Sequence, residues 1–279
     1  MKSITKVICA IVIICLLASC TVVTKDDNAK DTTIPTKDSK NLPETSVLPE
    51  PMAQISNEKK SHSYGVAKNG KPNEISINNQ KYFEENNFNA FCLDTKSKDK
   101  VLYLTFDCGY ENGYTSKILD TLKEKNVTAI FFLTGDYAKK EKELVNRMIS
   151  EGHILGNHGM KHASLPTLSD SEAEEEIMSL HQYMIDEYDY EMQYFRCPCG
   201  EYSEKSLEKL HELGYKTLFW SYAYVDWKTD AQPTAEEGYE KLTKPAHGGE
   251  ILLLHSVSST NAQILGDVID SFRNQGYKL

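Results

Sequence analysis

From about residue 62 onward, short apolar runs alternate with stretches of helical period, and no other feature constrains the fold of this chain as tightly. Val101-Leu-Tyr-Leu-Thr-Phe106 and Thr128-Ala-Ile-Phe-Phe-Leu133 are candidates for buried strands, as are Tyr194-Phe195, Lys216–Trp220 and Ile251–Leu254. Between them, Ile118, Leu119 and Leu122 share one face of a helix expected near Ser116–Lys125, and a second helix is expected near Lys140–Ser150. Ser169-Asp-Ser-Glu172 has the form of a capping box, opening a long helix with Ala173, Ile177, Leu180 and Met184 on one stripe. Leu207 and Leu210 mark a helix closed by Gly214, and Ile264 to Phe272 a last one closed by Gly276. Strands alternating with helices imply a parallel sheet, and the number of units predicts a single α/β domain built as a distorted (β/α) barrel.

The start of the chain reads differently. Lys2 and Lys6 precede an apolar run, Val7 to Ala18, that is too short for a membrane span at roughly 20 residues. It ends in Leu-Ala-Ser-Cys20, small residues and a cysteine that resemble a bacterial lipobox, so residues 1–19 are expected to be a lipoprotein signal and Cys20 to be acylated. A plain secretory signal with an incidental cysteine is the alternative. Residues 20–60 are rich in Thr, Lys, Asp, Glu and Ser, with Pro35, Pro43, Pro49 and Pro51, and have no apolar face. Such a segment buries too little surface to offset its ordering entropy and is expected to be a tether. The folded domain would then span residues 61–279, outside the cytoplasmic membrane and anchored to it by lipid. The formal net charge of −10, more negative still without Lys2 and Lys6, argues against a nucleic-acid partner. A monomer is expected, and the cysteines past Cys20 match no disulfide framework.

Parallel α/β barrels carry their reactive groups just after the strands. Four segments obey that rule: Leu104-Thr-Phe-Asp-Cys-Gly109, Gly156-Asn-His-Gly-Met-Lys-His162, Arg196-Cys-Pro-Cys-Gly200 and Leu252-Leu-Leu-His255. His158 and His162 are four apart, which on a helical turn would put both imidazoles on one face, able to share a metal. Gly159 stands where a zincin protease has Glu, so that class is excluded. Asp107 closes an apolar strand, where a carboxylate is costly unless paired or working; a turn-capping Asp is the plainer alternative. His255 alone would more often be a satisfied core histidine, but its placement with the others at strand ends favours a site.

Taken in order, Thr-Phe-Asp-x-Gly, His-x3-His, Arg-x-Pro-x-Gly, Asp226-Trp227 and Leu-x-His resemble the polysaccharide deacetylase (NodB homology) family over roughly residues 62 to 279. Leu104–Thr115, Val225–Asp230 and Leu253–Ser258 look like its branch of delta-lactam-forming muramic acid de-N-acetylases. The resemblance implies a divalent metal, zinc by expectation, held by His158 and His162. It implies Asp107 as general base with Arg196 fixing its orientation, and His255 as the acid that protonates the departing amine, aimed by Asp226. Oxyanion stabilisation would come from the metal and a backbone N–H near Cys108 or Cys199. Trp227, Gly109, Tyr110 and Cys199 would contact the sugar. The family's third ligand is usually an Asp at the position of Cys108; either this thiolate takes its place or water completes a two-histidine site. The substrate expected is peptidoglycan, at muramic acid. N-acetylglucosamine or chitin fragments are an alternative for the same chemistry, and a wall-binding lipoprotein with a decayed site is another. A mere binder would need none of Asp107, Arg196, Asp226 and His255.

Overall fold

The computed structural model describes residues 55–279; the expected signal, Cys20 and nearly all of the expected tether lie outside the described residues. In chain order the elements are β1 (Lys60–Ser61), α1 (Glu74–Glu85), β2 (Ala90–Phe91), β3 (Leu102–Cys108), α2 (Thr115–Glu124), β4 (Ile130–Leu133), α3 (Gly135–Lys140), α4 (Lys142–Ser150) and β5 (Ile154–Asn157). There follow α5 (Asp170–Tyr188), β6 (Tyr194–Phe195), β7 (Glu201–Tyr202), α6 (Glu204–Glu212), β8 (Lys216–Leu218), β9 (Tyr222–Ala223), α7 (Ala235–Thr243), β10 (Glu250–His255) and α8 (Ser259–Asn274).

Eight strands form one parallel sheet in the order β2-β8-β6-β5-β4-β3-β10-β9. The chain itself forces this sheet to curl. In a flat sheet β8 and β9 would lie about 29 Å apart, six spacings of about 4.8 Å. Only Phe219, Trp220 and Ser221 separate them in sequence, a reach of about 14 Å from Leu218 to Tyr222. An antiparallel bridge between Leu93 and Glu250, with the Asp94 N–H donating to the Gly249 carbonyl at 2.9 Å, draws the β2 side toward β10 as well. The barrel expected from the strand–helix alternation is the fold observed, with β2 and β9 as its edges.

Strand alternation sorts the side chains onto two faces. Ile130, Phe132, Leu218 and Ile251 make a small apolar cluster on the inner face. Phe106, Phe131, Leu133, Leu155, Phe195, Leu252 and Leu254 pack outward against Ile118, Leu122, Val145, Ile177, Leu180 and Val268 of the helices. The capping box at Ser169 and Glu172 is present, and two more, at Ser203 with Ser206 and at Thr234 with Glu237, start α6 and α7. Helices α1 and α7 were not among the expected elements: α1 has a weak apolar stripe, and α7 buries only Gly238, Leu242 and Thr243.

The tether expected to run to residue 60 gives way to the domain earlier. The Ser56 carbonyl accepts from the Lys205 N–H at 3.0 Å, the Ser203 hydroxyl donates to Asn57 Oδ1 at 2.8 Å, and β1 pairs antiparallel with β7. Composition could not show this, because the docking is made by backbone and short polar groups.

Candidate active site

Asp107 and His255 are Cα partners on the adjacent parallel strands β3 and β10, so their side chains leave the same face at the same level. Behind Asp107 lies Arg196, fully buried, whose Nη1 donates to Asp107 Oδ1 at 2.8 Å. The rest of its guanidinium is committed: Nε donates to the Leu218 carbonyl at 3.0 Å, Nη2 to Phe219 at 3.3 Å, and its plane lies 4.1 Å over the Phe132 ring. Burial pushes the Asp107 carboxyl up, but the Arg196, His158 and His255 charges together hold it below the usual carboxylate range. It is ionised at neutral pH.

His158 follows β5, and its Nδ1 lies 2.8 Å from the Arg196 carbonyl. A carbonyl only accepts, so Nδ1 carries the proton and Nε2 presents its lone pair. That Nε2 lies 3.2 Å from His162 Nε2 and 3.4 Å from Asp107 Oδ2. Burial pushes the His158 imidazole down to about 4 and that of His162 down as well, so both are neutral and able to ligate at neutral pH. Two converging imidazole nitrogens, one oriented by a backbone carbonyl, with a carboxylate beside them, fit a divalent cation.

The way the histidines converge differs from expectation. Residues 158–162 form no helical turn; His162 sits at φ 59° and Gly159 at φ 83°. The loop wraps the buried carboxylate of Glu176 on α5, whose Oε1 accepts from the N–H groups of Lys161 and Ala163 at 2.8 and 3.0 Å. A Cβ at Gly159 would come within 2.5 Å of that oxygen, so the close wrap requires glycine. Glu176 did not stand out in the sequence.

Cys108 is the second departure. Strand β3 continues through residue 108, so Cys108 faces opposite to Asp107: Asp107 pairs in register with Phe132 of the inner cluster, Cys108 with Leu133 of the helix-side core. The thiol is fully buried, and desolvation holds it protonated. A thiolate ligand here is therefore not supported.

His255 is held from the other side. Its Nδ1 lies 2.7 Å from Asp226 Oδ1 and its backbone N–H donates to Asp226 Oδ2 at 2.8 Å. Asp226 is fully buried and also accepts from Asn261 Nδ2 at 2.6 Å, while Asn261 Oδ1 accepts from the Tyr224 hydroxyl. Burial lowers the affinity of His255 for its proton, but the Asp226 bond and charge outweigh this and raise its pKa above the ordinary imidazole value. Neither Asn261 nor Tyr224 stood out in the sequence, although Asn261 lies one turn into α8, six residues past His255.

These groups open on a cleft of about 640 Å³. Asp107, His158, His162 and His255 line it, with Gly109, Tyr110, Cys199 and Trp227, and with Gly200, Trp220, Leu253 and Val257. The Trp227 ring lies 5.4 Å from that of His255 and is 44% exposed, an apolar plate at the mouth. Arg196 and Asp226 stand behind the wall, each holding one reactive group.

A polysaccharide deacetylase family model matches residues 94–218. The peptidoglycan-N-acetylmuramic acid deacetylase PdaA of Bacillus subtilis is 44% identical over 192 residues, 68% of this chain and 72% of the relative. A peptidoglycan-N-acetylglucosamine deacetylase of Bacillus cereus is 29% identical over 188 residues, 66% of this chain and 87% of that one. Among solved structures, Bacillus subtilis PdaA, described as a family 4 carbohydrate esterase, superposes with a TM-score of 0.76 at 39% identity, covering 80% of this chain and 95% of that one. With the motifs, the barrel and the relatives in agreement, the chain belongs to the polysaccharide deacetylase family.

Proposed function

We propose that this protein is a metal-dependent N-deacetylase of peptidoglycan, acting on the acetamide of muramic acid residues. The observation that carries the chemistry is the opposition of Asp107 and His255 at one level of the barrel, the first gripped by a buried cation and the second by a buried anion. That arrangement keeps a base deprotonated and an acid protonated at the same pH. His158 and His162 would hold the divalent ion, with zinc the expected metal; when bound, it supplies Lewis-acid polarisation of the acetamide carbonyl. Asp107 takes a proton from the water that attacks the carbonyl carbon. His255 gives its proton to the nitrogen as the C–N bond breaks, and acetate and a free amine leave. Asp226 keeps the imidazolium aimed, and Trp227 packs against a sugar face.

The muramic assignment rests on the likeness to PdaA. Among the described residues, no Lys or Arg lines the cleft to meet the lactyl carboxylate of muramic acid. The backbone of the 109–113 loop at the mouth is the partner that remains in this proposal. Placement of the protein on the outer face of the membrane through acylated Cys20 is part of the same proposal, supported by the sequence around that residue; loss of radiolabelled palmitate from a Cys20→Ser variant tests it.

Purified domain should release acetate from glycan strands whose muramic residues have lost their peptides. It should release little from chitin oligomers, and nothing from either after exhaustive chelation. Chitin turned over at an equal or greater rate would reassign the substrate, and activity undiminished by chelation would end the metal-dependent account.

A further inference from the structure

The segment just before the barrel packs behind two residues of the cleft lining, Gly200 and Trp220. After β1 the His62 N–H donates to the Gly200 carbonyl at 2.8 Å, which carries the histidine ring beneath the loop that follows β6. There it stacks on Phe219 at 4.6 Å between centroids and meets Trp220 edge-on at 5.0 Å. Its Nε2 lies 2.7 Å from the Trp220 carbonyl, so Nε2 is the protonated nitrogen and donates.

This bond completes a series. Of the three residues that cross from β8 to β9, Phe219 donates its N–H to the Phe91 carbonyl of β2 at 2.8 Å and Ser221 to the Ile251 carbonyl of β10 at 3.0 Å; between them stands Trp220, one side of the cleft. Arg196 takes the carbonyls of Leu218 and Phe219, and His62 takes that of Trp220. The indole is pressed against Gly200, where a Cβ would come within 2.9 Å of its ring and 3.3 Å of His62 Cβ. On the other side Tyr64 meets the indole edge at 6.4 Å. Removing the Nε2 donor would leave a buried carbonyl unsatisfied and free the crossing at the residue that shapes the cleft.

We propose that His62 is a positioning residue for the deacetylation, fixing the Trp220 side of the cleft through its Nε2–H bond to the Trp220 carbonyl. The proposal rests on this cleft being the catalytic one. Its effect is on the fit of the glycan and not on proton transfer, because His62 touches neither Asp107 nor His255.

The test compares His62→Leu, which keeps apolar bulk and loses the donor, with His62→Gln, whose Nε2 can donate from a similar place. Steady-state acetate release from peptide-free glycan strands should show KM raised about fivefold or more in His62→Leu with kcat within about twofold of the parent, the pattern of lost uniform binding. His62→Gln should recover most of the KM. Unchanged KM in His62→Leu, or Leu and Gln variants equally impaired, overturns the proposal. The chain has two tryptophans, Trp220 and Trp227, so in a Trp227→Phe background the emission is that of Trp220 alone. A red shift in His62→Leu that is absent in His62→Gln is expected even if the parent releases no acetate, which keeps this proposal separable from the assignment of function. Identical emission from all three overturns it.

Discussion

The two ends of strand β10 each carry a histidine paired with a buried carboxylate, and the contrast between them shows what makes such a pair chemical. At the N-terminal end His247 Nδ1 lies 3.0 Å from Glu250 Oε2, and its other nitrogen lies 3.0 Å from the Ser221 hydroxyl. Both side chains are wholly buried, and burial raises the Glu250 carboxyl. Every direction around that imidazole is occupied by protein, so the pair can only hold the bottom of the barrel together. At the C-terminal end His255 meets Asp226 just as closely, but its side chain is 23% exposed and lines the cleft. Each end pairs an imidazole with a carboxylate, and access to the second ring nitrogen separates a staple from the acid proposed for this site.

The sharpest way to break that comparison is to remove each partner and ask which quantity moves. His255→Ala should cut kcat by roughly 10²–10⁴-fold, the usual worth of a positioned acid, with metal content and stability near those of the parent. Glu250→Leu should do the reverse, costing about 3–5 kcal/mol in denaturant unfolding, because a buried pair loses one member while the other stays in place. The folded fraction of that variant should keep the parental kcat/KM. A loss of catalysis there without loss of stability would show that the bottom pair is coupled to the site.

A gentler test uses pH. In the proposed reaction His255 must be charged, and its raised pKa means activity should fall only as pH climbs through that raised value. Asp107, the base of that proposal, must be ionised, and its lowered pKa means activity should fall only as pH drops through that lowered value. The plateau of kcat/KM should therefore be wider than an ordinary carboxylate and imidazole would give. Asp226→Asn removes the interaction that raises His255, so the alkaline limb should move to lower pH while the acid limb stays. An unmoved alkaline limb would mean that His255 is not the acid. The smallest effect is expected from Cys108→Ala: metal stoichiometry and kcat unchanged, and about 1 kcal/mol of stability lost from a small core cavity. Weakened metal binding would return Cys108 to the ligand set.

The strand ends were legible in the sequence because a reactive residue closing an apolar run is a local pattern, and Asp107, His158, Arg196 and His255 all sit in one. Asp226 could be matched to His255 only through the resemblance, since 29 residues separate them. The orientation of Cys108 was within reach of strand parity, but β3 was expected to stop at Phe106, where the apolar run ends, and in the structure it runs two residues further. The loop of His158 and His162 was misjudged because i,i+4 spacing is equally served by a wrap around a distant carboxylate, and Glu176 looks like any solvent-facing glutamate of α5. His62 and Asn261 act through hydrogen bonds to groups far along the chain, which leave no periodicity or spacing to read.

Mass spectrometry of muropeptides tests the central claim most directly, because it reports both the reaction and the sugar. Glycan strands freed of peptides, treated with the metal-loaded parent domain and then digested, should show acetyl loss confined to muramic residues and absent after treatment with Asp107→Asn. Acetyl loss on glucosamine residues, or equal loss with Asp107→Asn, would contradict it.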